Sequence, residues 1–291
     1  MKPSSTGPFP YTPITRRPKI RWPDGKRLAV WVIPNVETFP LDQPIPGIAG
    51  SKAPDVNNWA KREYGNRVGV FRLMKALSRF GIRGSVALNS DVCDAAPDVI
   101  DEALKLGWEL MGHGETNSRR LNQTASMDEE REMIGRIVER IKRACGKPPR
   151  GWLGPGLQET WDSLDLLCEA GIKFTGDWTT DDQPYLLDVG GKAMVSIPYG
   201  HDMGDMNAIL RGHYTPADFA QMMIDTFTVL YRESWNGGRV MPLSLHPFLT
   251  GTPHRIDGLN RGLEYISRYE DVWFATGSEI YEHYIASGTT F

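Results

Sequence analysis

The chain has 291 residues, 40% of them hydrophobic and 24% charged, and a formal net charge of −3. That balance suits one large α/β domain and leaves no basic footprint for nucleic acid. There is no apolar run of the roughly 20 residues a membrane span needs, and no signal-peptide core follows Met1. Cys93, Cys145 and Cys168 lack CxxC spacing, so a reduced, cytoplasmic setting is expected.

Residues 1–27 are rich in Pro and Arg and show no periodicity, which predicts an extended arm packed on the surface or on a neighbouring subunit. Residues 28–34 (LAVWVIP) predict a buried strand. Residues 39–58 read as a long loop. Apolar residues at Val68, Phe71, Met74, Leu77 and Phe80 predict a helix over 67–80, stopped by Gly81. Strand 84–88, helix 97–106 and strand 108–111 follow. Ser126 and Glu129 form a capping box that opens a helix ending at Gly146.

Segment 151–153 is short and open to more than one reading. A helix over 161–170 leads to strands 172–176 and 193–198. Thr215-Pro216-Ala217-Asp218 starts a helix that runs to about residue 234. Strand 240–245, helix 259–267, strand 272–275 and a last helix capped from Thr276 complete the chain. Alternating strands and helices predict parallel strands joined by helical crossovers. Seven or eight strands in one domain over 1–291 suggest a barrel.

Barrels place their chemistry at strand ends. His113 follows such a strand between Gly112 and Gly114, with Glu109 and Asn117 each four residues away. His246 ends another, and Pro247 keeps it extended; a histidine there suits a general acid or base. Asn35 and Glu37 close the first strand, and residues i and i+2 share a side. Glu37 can serve as base, as metal ligand or as partner of a histidine. Asp177, Asp181 and Asp182 form an acidic loop; Asp202, Asp205, His201 and His213 cluster after the strand ending at Pro198, where a non-functional reading is the stronger one, and His254 and His283 read as surface residues.

These clusters, in this order, resemble the polysaccharide deacetylase family, also called the NodB-homology domain. GWELMGHGETN is similar to its second motif, with His113 at the first metal histidine and Asn117 where the second stands. Asn35-Val36-Glu37 occupies the place of the Asp-x-Asp motif, residues 151–156 resemble the third motif with Leu153 in place of its arginine, and Leu245-His246 matches the final Leu-His motif, whose histidine is the general acid. The stretches Asp181-Asp182-x-Pro184-Tyr185, Ile197-Pro198-Tyr199 and Asp205-Met206-Asn207 look like the allantoinase and cyclic imide hydrolase branch.

The resemblance implies an α/β fold, a distorted (β/α) barrel of seven or eight mostly parallel strands, assembled as a dimer or tetramer. It implies ring-opening hydrolysis of a small cyclic amide, with no cofactor or with one zinc-like metal held by Glu37, His113 and Asn117. Glu37 and His113 would activate water and His246 would protonate the leaving nitrogen. The ring would lie between Trp178 and Tyr199, its polar edge met by Asn35, Asn117 and Asp177. Two rival readings are a metal-dependent N-deacetylase of an amino sugar and a non-catalytic member that binds a small ligand.

Overall fold

Side-chain alternation along the first strand organises the molecule. β1 (Leu28–Val36) is buried over its whole length in the computed structural model, which describes residues 4–288. Ala29, Trp31 and Ile33 point into one apolar cluster, and Leu28, Val30, Val32 and Val36 into another. Period two is the strand repeat, and two buried faces explain the unbroken apolar run. The remaining strands are β2 (Ser85–Leu88), β3 (Glu109–Gly112), β4 (Gly151–Trp152), β5 (Phe174–Thr175), β6 (Tyr185–Val189), β7 (Lys192–Ser196), β8 (Arg239–Leu245) and β9 (Val272–Phe274). Ala87, Met111, Leu153, Phe174, Val195 and Val240 join the Trp31 cluster, so that cluster is the interior of a curled sheet.

The strands form one nine-stranded sheet in the order β6-β7-β5-β4-β3-β2-β1-β8, with β9 also on β1. Every pairing is parallel except the β6–β7 hairpin. β8 follows β1 along one edge, while β9 pairs with Leu28, Ala29 and Val30 and β2 with Asn35 and Val36. Between β8 and β6 the ladder gives way to single bonds, from Val240 N to Asp182 O at 2.9 Å and from Gln183 Nε2 to Gly238 O at 2.8 Å. The result is the expected distorted (β/α) barrel, with one strand more than the sequence suggests. The addition is β6: its Gly190-Gly191 turn, with both glycines at positive φ, closes a hairpin inside what reads as acidic loop and linker.

The outer cluster is covered by α2 (Val70–Ser78), α3 (Val92–Ala95), α4 (Pro97–Lys105), α5 (Met127–Cys145), α6 (Ser163–Glu169), α7 (Pro216–Glu233) and α8 (Ile256–Ile266), whereas α1 (Val56–Tyr64) buries none of its residues and α9 (Gly277–Ala286) sends Ile280 and Tyr284 into the Trp31 cluster. The expected helix over 67–80 is the second half of a longer run. α1 and α2 are joined without a break by a π-helical turn, Gly65–Gly69. A Cβ on Gly69 would lie 2.1 Å from Pro247 O, and one on Gly65 2.9 Å from Phe248 N. Glycine is the residue that lets this turn touch the loop after β8. No helix among the described residues is long and apolar enough to cross a membrane.

The arm packs on its own barrel. Asp188 N bonds Pro8 O at 2.7 Å, Arg17 pairs with Asp181, and Gly238 N bonds Ile20 O at 2.9 Å. Trp22 is 2% exposed, belongs to the interior cluster and donates from Nε1 to Arg239 O at 3.0 Å. It plugs the barrel at the end where the strands begin and spans the gap beside β8.

Candidate active site

The interior row of β1 continues past Ile33 to Asn35 and then Glu37. Neighbouring strands bring two histidines to the same level. Register pairs Pro34 with Leu245 and Leu88 with Gly112, so His246 leaves β8 and His113 leaves β3 at the rim where Glu37 leaves β1. Glu37 Oε1 lies 3.4 Å from His113 Nε2 and 3.8 Å from His246 Nε2. The three side chains are 6%, 4% and 8% exposed. Every one of these residues sits on an inward phase of its strand, which is why short apolar runs can aim three polar groups at one point.

Each histidine is held from behind. His113 Nδ1 bonds the carbonyl of Leu153, and Asn89 Nδ2 bonds the carbonyl of His113 itself. With the Nδ1 proton given to a carbonyl, Nε2 is the atom turned to Glu37. His246 Nδ1 bonds Asp205 Oδ1 at 2.7 Å, while Asp205 Oδ2 accepts from His246 N at 2.7 Å and Thr250 Oγ1 at 2.6 Å. Burial lowers the His246 pKa, but the Asp205 carboxylate outweighs it and raises the imidazole above its ordinary value. Burial raises Glu37, but the His113 hydrogen bond and the charges of His246, His113 and Arg62 outweigh it and keep the carboxyl low. Glu37 thus favours its carboxylate form and faces an imidazole whose surroundings favour the protonated form. Its Oε2 is buried without a partner, an open acceptor beside two imidazoles.

A polar tier lies beneath. Asn35 Nδ2 donates to Ile33 O at 3.1 Å and Ser244 Oγ at 3.0 Å, and Tyr199 Oη lies 2.5 Å from Ser244 Oγ and 3.4 Å from Asn35 Oδ1. Asn35 and Tyr199 were expected to meet substrate. Instead their polar atoms bond each other and Ser244, tying β1, β8 and the segment after β7 one layer below Glu37. Asn35 and Glu37 do share the inward row, as positions i and i+2 should, but the Asn35 amide is engaged by Ile33, Ser244 and Tyr199.

Asn117 does reach the rim. Its backbone N–H bonds Thr38 O at 3.0 Å, and its Oδ1 is buried with no partner. Glu109 does not reach it: its carboxylate bonds Ser85 Oγ at 2.9 Å and Ser278 N at 3.2 Å, anchoring α9 at the opposite end of β3.

Asp177 Oδ1 accepts from Gly154 N at 2.7 Å, next to the Leu153 carbonyl that orients His113. Its other oxygen has no donor, and the carboxyl abuts Glu159, a residue the sequence reading passes over. Burial pushes Asp177 up to about 6, and burial plus the Asp177 charge raises Glu159 as well. Two like carboxyls this close share a proton, so the pair offers both a donor and an acceptor. Trp178 neighbours Glu159 through its indole, and its ring meets Phe9 of the arm edge-on at 5.9 Å. Tyr199 belongs to the interior cluster with Trp31, so the two rings expected to sandwich a substrate serve separate walls.

The family motif implies a metal. A catalytic zinc site takes three His, Cys or carboxylate ligands and one open position. Among the described residues no group of three such side chains is placed so that it could hold a metal ion. Of the three expected ligands, Glu37 and His113 supply one donor each, and Asn117 offers only an amide oxygen. The residues present do not fit that group, and no step below passes through one.

Residues 63–175 match the family model described as polysaccharide deacetylase. A Schizosaccharomyces pombe protein assigned to the polysaccharide deacetylases is 29% identical over 238 residues, 75% of this chain and 73% of that one. A peptidoglycan deacetylase of Helicobacter pylori is 23% identical over 268 residues, 81% of this chain and 89% of that one. The crystal structure of the PuuE allantoinase superposes with a TM-score of 0.85 at 26% identity, covering 94% of this chain and 95% of the other.

Proposed function

We propose that this chain, which resembles the polysaccharide deacetylases over residues 63–175, is an amide hydrolase that opens a small cyclic amide, a ureide or cyclic imide, by adding water across a ring C–N bond. The observation that carries this reading is depth. Glu37, His113 and His246 are each less than a tenth exposed, at the mouth of a barrel filled below by side chains. A flat ring fits such a recess, whereas a sugar polymer needs an open groove. The likeness to an allantoinase supports the same substrate class.

Amide hydrolysis needs an activated water, a stabilised oxyanion and a proton for nitrogen. Glu37 takes a proton from water as its oxygen attacks the ring carbonyl. His113 fixes the carboxylate. The tetrahedral intermediate collapses as His246 gives its Nε2 proton to the departing nitrogen, and the ring opens to an amide- or urea-type N–H and a carboxylic acid. The acid loses its proton to solvent. The proton held by Glu37 returns to His246 across the 3.8 Å that separates them, restoring both groups. The Asp177–Glu159 pair and Asn117 meet the N–H and C=O edge of the ring.

N-deacetylation of an amino sugar is the second reading, favoured by the names of the two curated relatives. One screen separates the two. Purified protein, with and without chelator, is offered hydantoin, allantoin, succinimide and N-acetylglucosamine oligomers. Chelator-resistant ring opening is expected, with Glu37→Gln and His246→Ala each slowed about 10²–10⁴-fold. Release of acetate with every ring left closed sinks the cyclic-amide assignment.

A further inference from the structure

We propose that Arg62 is the working cation of this site: it stabilises the oxyanion at the attacked carbonyl and then holds the carboxylate that ring opening produces. This rests on the hydrolase reading above. The Arg62 guanidinium lies 4.9 Å from the Phe39 ring and 5.1 Å from the Phe248 ring. Those rings stand two residues beyond Glu37 and His246, and Phe248 also meets the His246 ring at 5.9 Å. Arg62 is therefore flanked by the two segments that carry the base and the acid. One turn further along, Asn66 Nδ2 donates to Glu37 O at 2.8 Å, so the same helical face addresses the Glu37 segment twice. Gly65 and Gly69 make the approach possible, since a side chain at either would strike the 247–248 backbone.

The charge helps keep Glu37 ionised but is not neutralised by any contact ion pair. Among the described residues no carboxylate lies within ion-pair distance of Arg62. Its recorded hydrogen bond runs from one terminal nitrogen to Asn58 O at 3.1 Å, and its Nε is buried without a partner. Asp55, a nearby acid, is spent on Ser51, Asn58 and the start of α1. A half-buried guanidinium left unpaired is costly, and stacking on two rings fixes its plane rather than neutralising it.

The reaction supplies the missing anion. Negative charge develops on one carbonyl oxygen in the tetrahedral intermediate, is lost as the C=O reforms, and returns to the same group when the product acid ionises to carboxylate. Glu37 and Asp205 repel that charge. His246 attracts it only until its proton leaves with the nitrogen. Arg62 cannot lose its charge in this way, so it can hold the oxygen from attack to product.

The test uses Arg62→Met, which keeps the stem between Phe39 and Phe248, and Arg62→Lys, each first shown to melt as the parent does. With hydantoin as substrate, Arg62→Met is expected to lose about 10²–10³ in kcat, as for removal of an oxyanion donor. Arg62→Lys should fall between, and added guanidinium ion should restore part of the Arg62→Met rate. N-carbamoylglycine, the ring-opened carboxylate, should bind Arg62→Met at least about tenfold more weakly by calorimetry, a readout independent of turnover. Unchanged kcat and unchanged N-carbamoylglycine affinity in Arg62→Met, with Glu37→Gln inactive, overturn the proposal and leave the hydrolase site standing. Full activity in Glu37→Gln and His246→Ala overturns the site itself, and the role of Arg62 with it.

Discussion

His246 is the residue whose surroundings do most to set the reaction. Asp205 holds its ring nitrogen and its backbone N–H at once, which fixes both the tautomer and the direction of Nε2. In the proposed mechanism the active pairing is Glu37 ionised with His246 protonated. Glu37 sits below its ordinary 4.5, so the carboxylate survives to pH values under that figure; His246 sits above its ordinary 6.5, so the imidazolium survives to pH values over it. The profile of kcat/KM against pH is expected to be a bell, with an acid limb below 4.5 and a basic limb above 6.5. Asp205→Asn removes the group that raises His246, so its basic limb should move to lower pH; an unmoved limb would refute the assignment. Glu37, His113 and His246 were legible in the sequence because each ends an apolar run. Asp205 was not, since it lies 41 residues from His246 in a cluster whose non-functional reading is the stronger one. Arg62 was hidden because 39–58 reads as loop and nothing in the sequence announces a helix starting at Val56.

At the level of elements, the α1–π–α2 run is built for contact with the loop after β8. Gly69 abuts Pro247, and Gly251 abuts both, with a Cβ at Gly251 falling 2.5 Å from Gly69 O. Gly69→Ala should destabilise the protein by about 1–3 kcal/mol through overpacking, read as a lower midpoint in urea, and should reduce turnover more than a surface alanine does, because it displaces the loop carrying His246. A variant as stable and as active as the parent would show that the loop has room to spare. The run itself was half visible: the stripe from Val68 to Phe80 marks α2, but Gly65 and Gly69 look like breakers until the surface they meet is known. β6 was missed for a related reason. Asp188 and the glycine pair imitate a loop, and only pairing with β7 reveals the alternation of Tyr185, Leu187 and Val189.

Across the whole molecule, barrel and plug act together. The barrel was readable because parallel strands buried on both faces give unbroken apolar runs, and their count is almost recovered from the sequence. The role of the arm was not readable: Ile20 and Trp22 stand among Pro, Arg and Lys, with no periodicity to mark them as core. Trp22→Ala should cost about 3–5 kcal/mol, the range for emptying a large buried site, seen as a shifted urea midpoint with little change in far-ultraviolet circular dichroism. A shift no larger than that of an exposed tryptophan such as Trp235 would place the barrel floor elsewhere.

The same plug sets an order of events during synthesis. Trp22 bonds a carbonyl 217 residues away, and the Arg21 carbonyl bonds His283, 262 residues away. At about 5–20 residues per second, roughly 10 to 40 s pass between translation of Trp22 and translation of its partner. The arm, translated well before the strands it seals, is therefore among the last segments to dock. Through that interval the nascent chain carries an unburied tryptophan and an unsealed sheet.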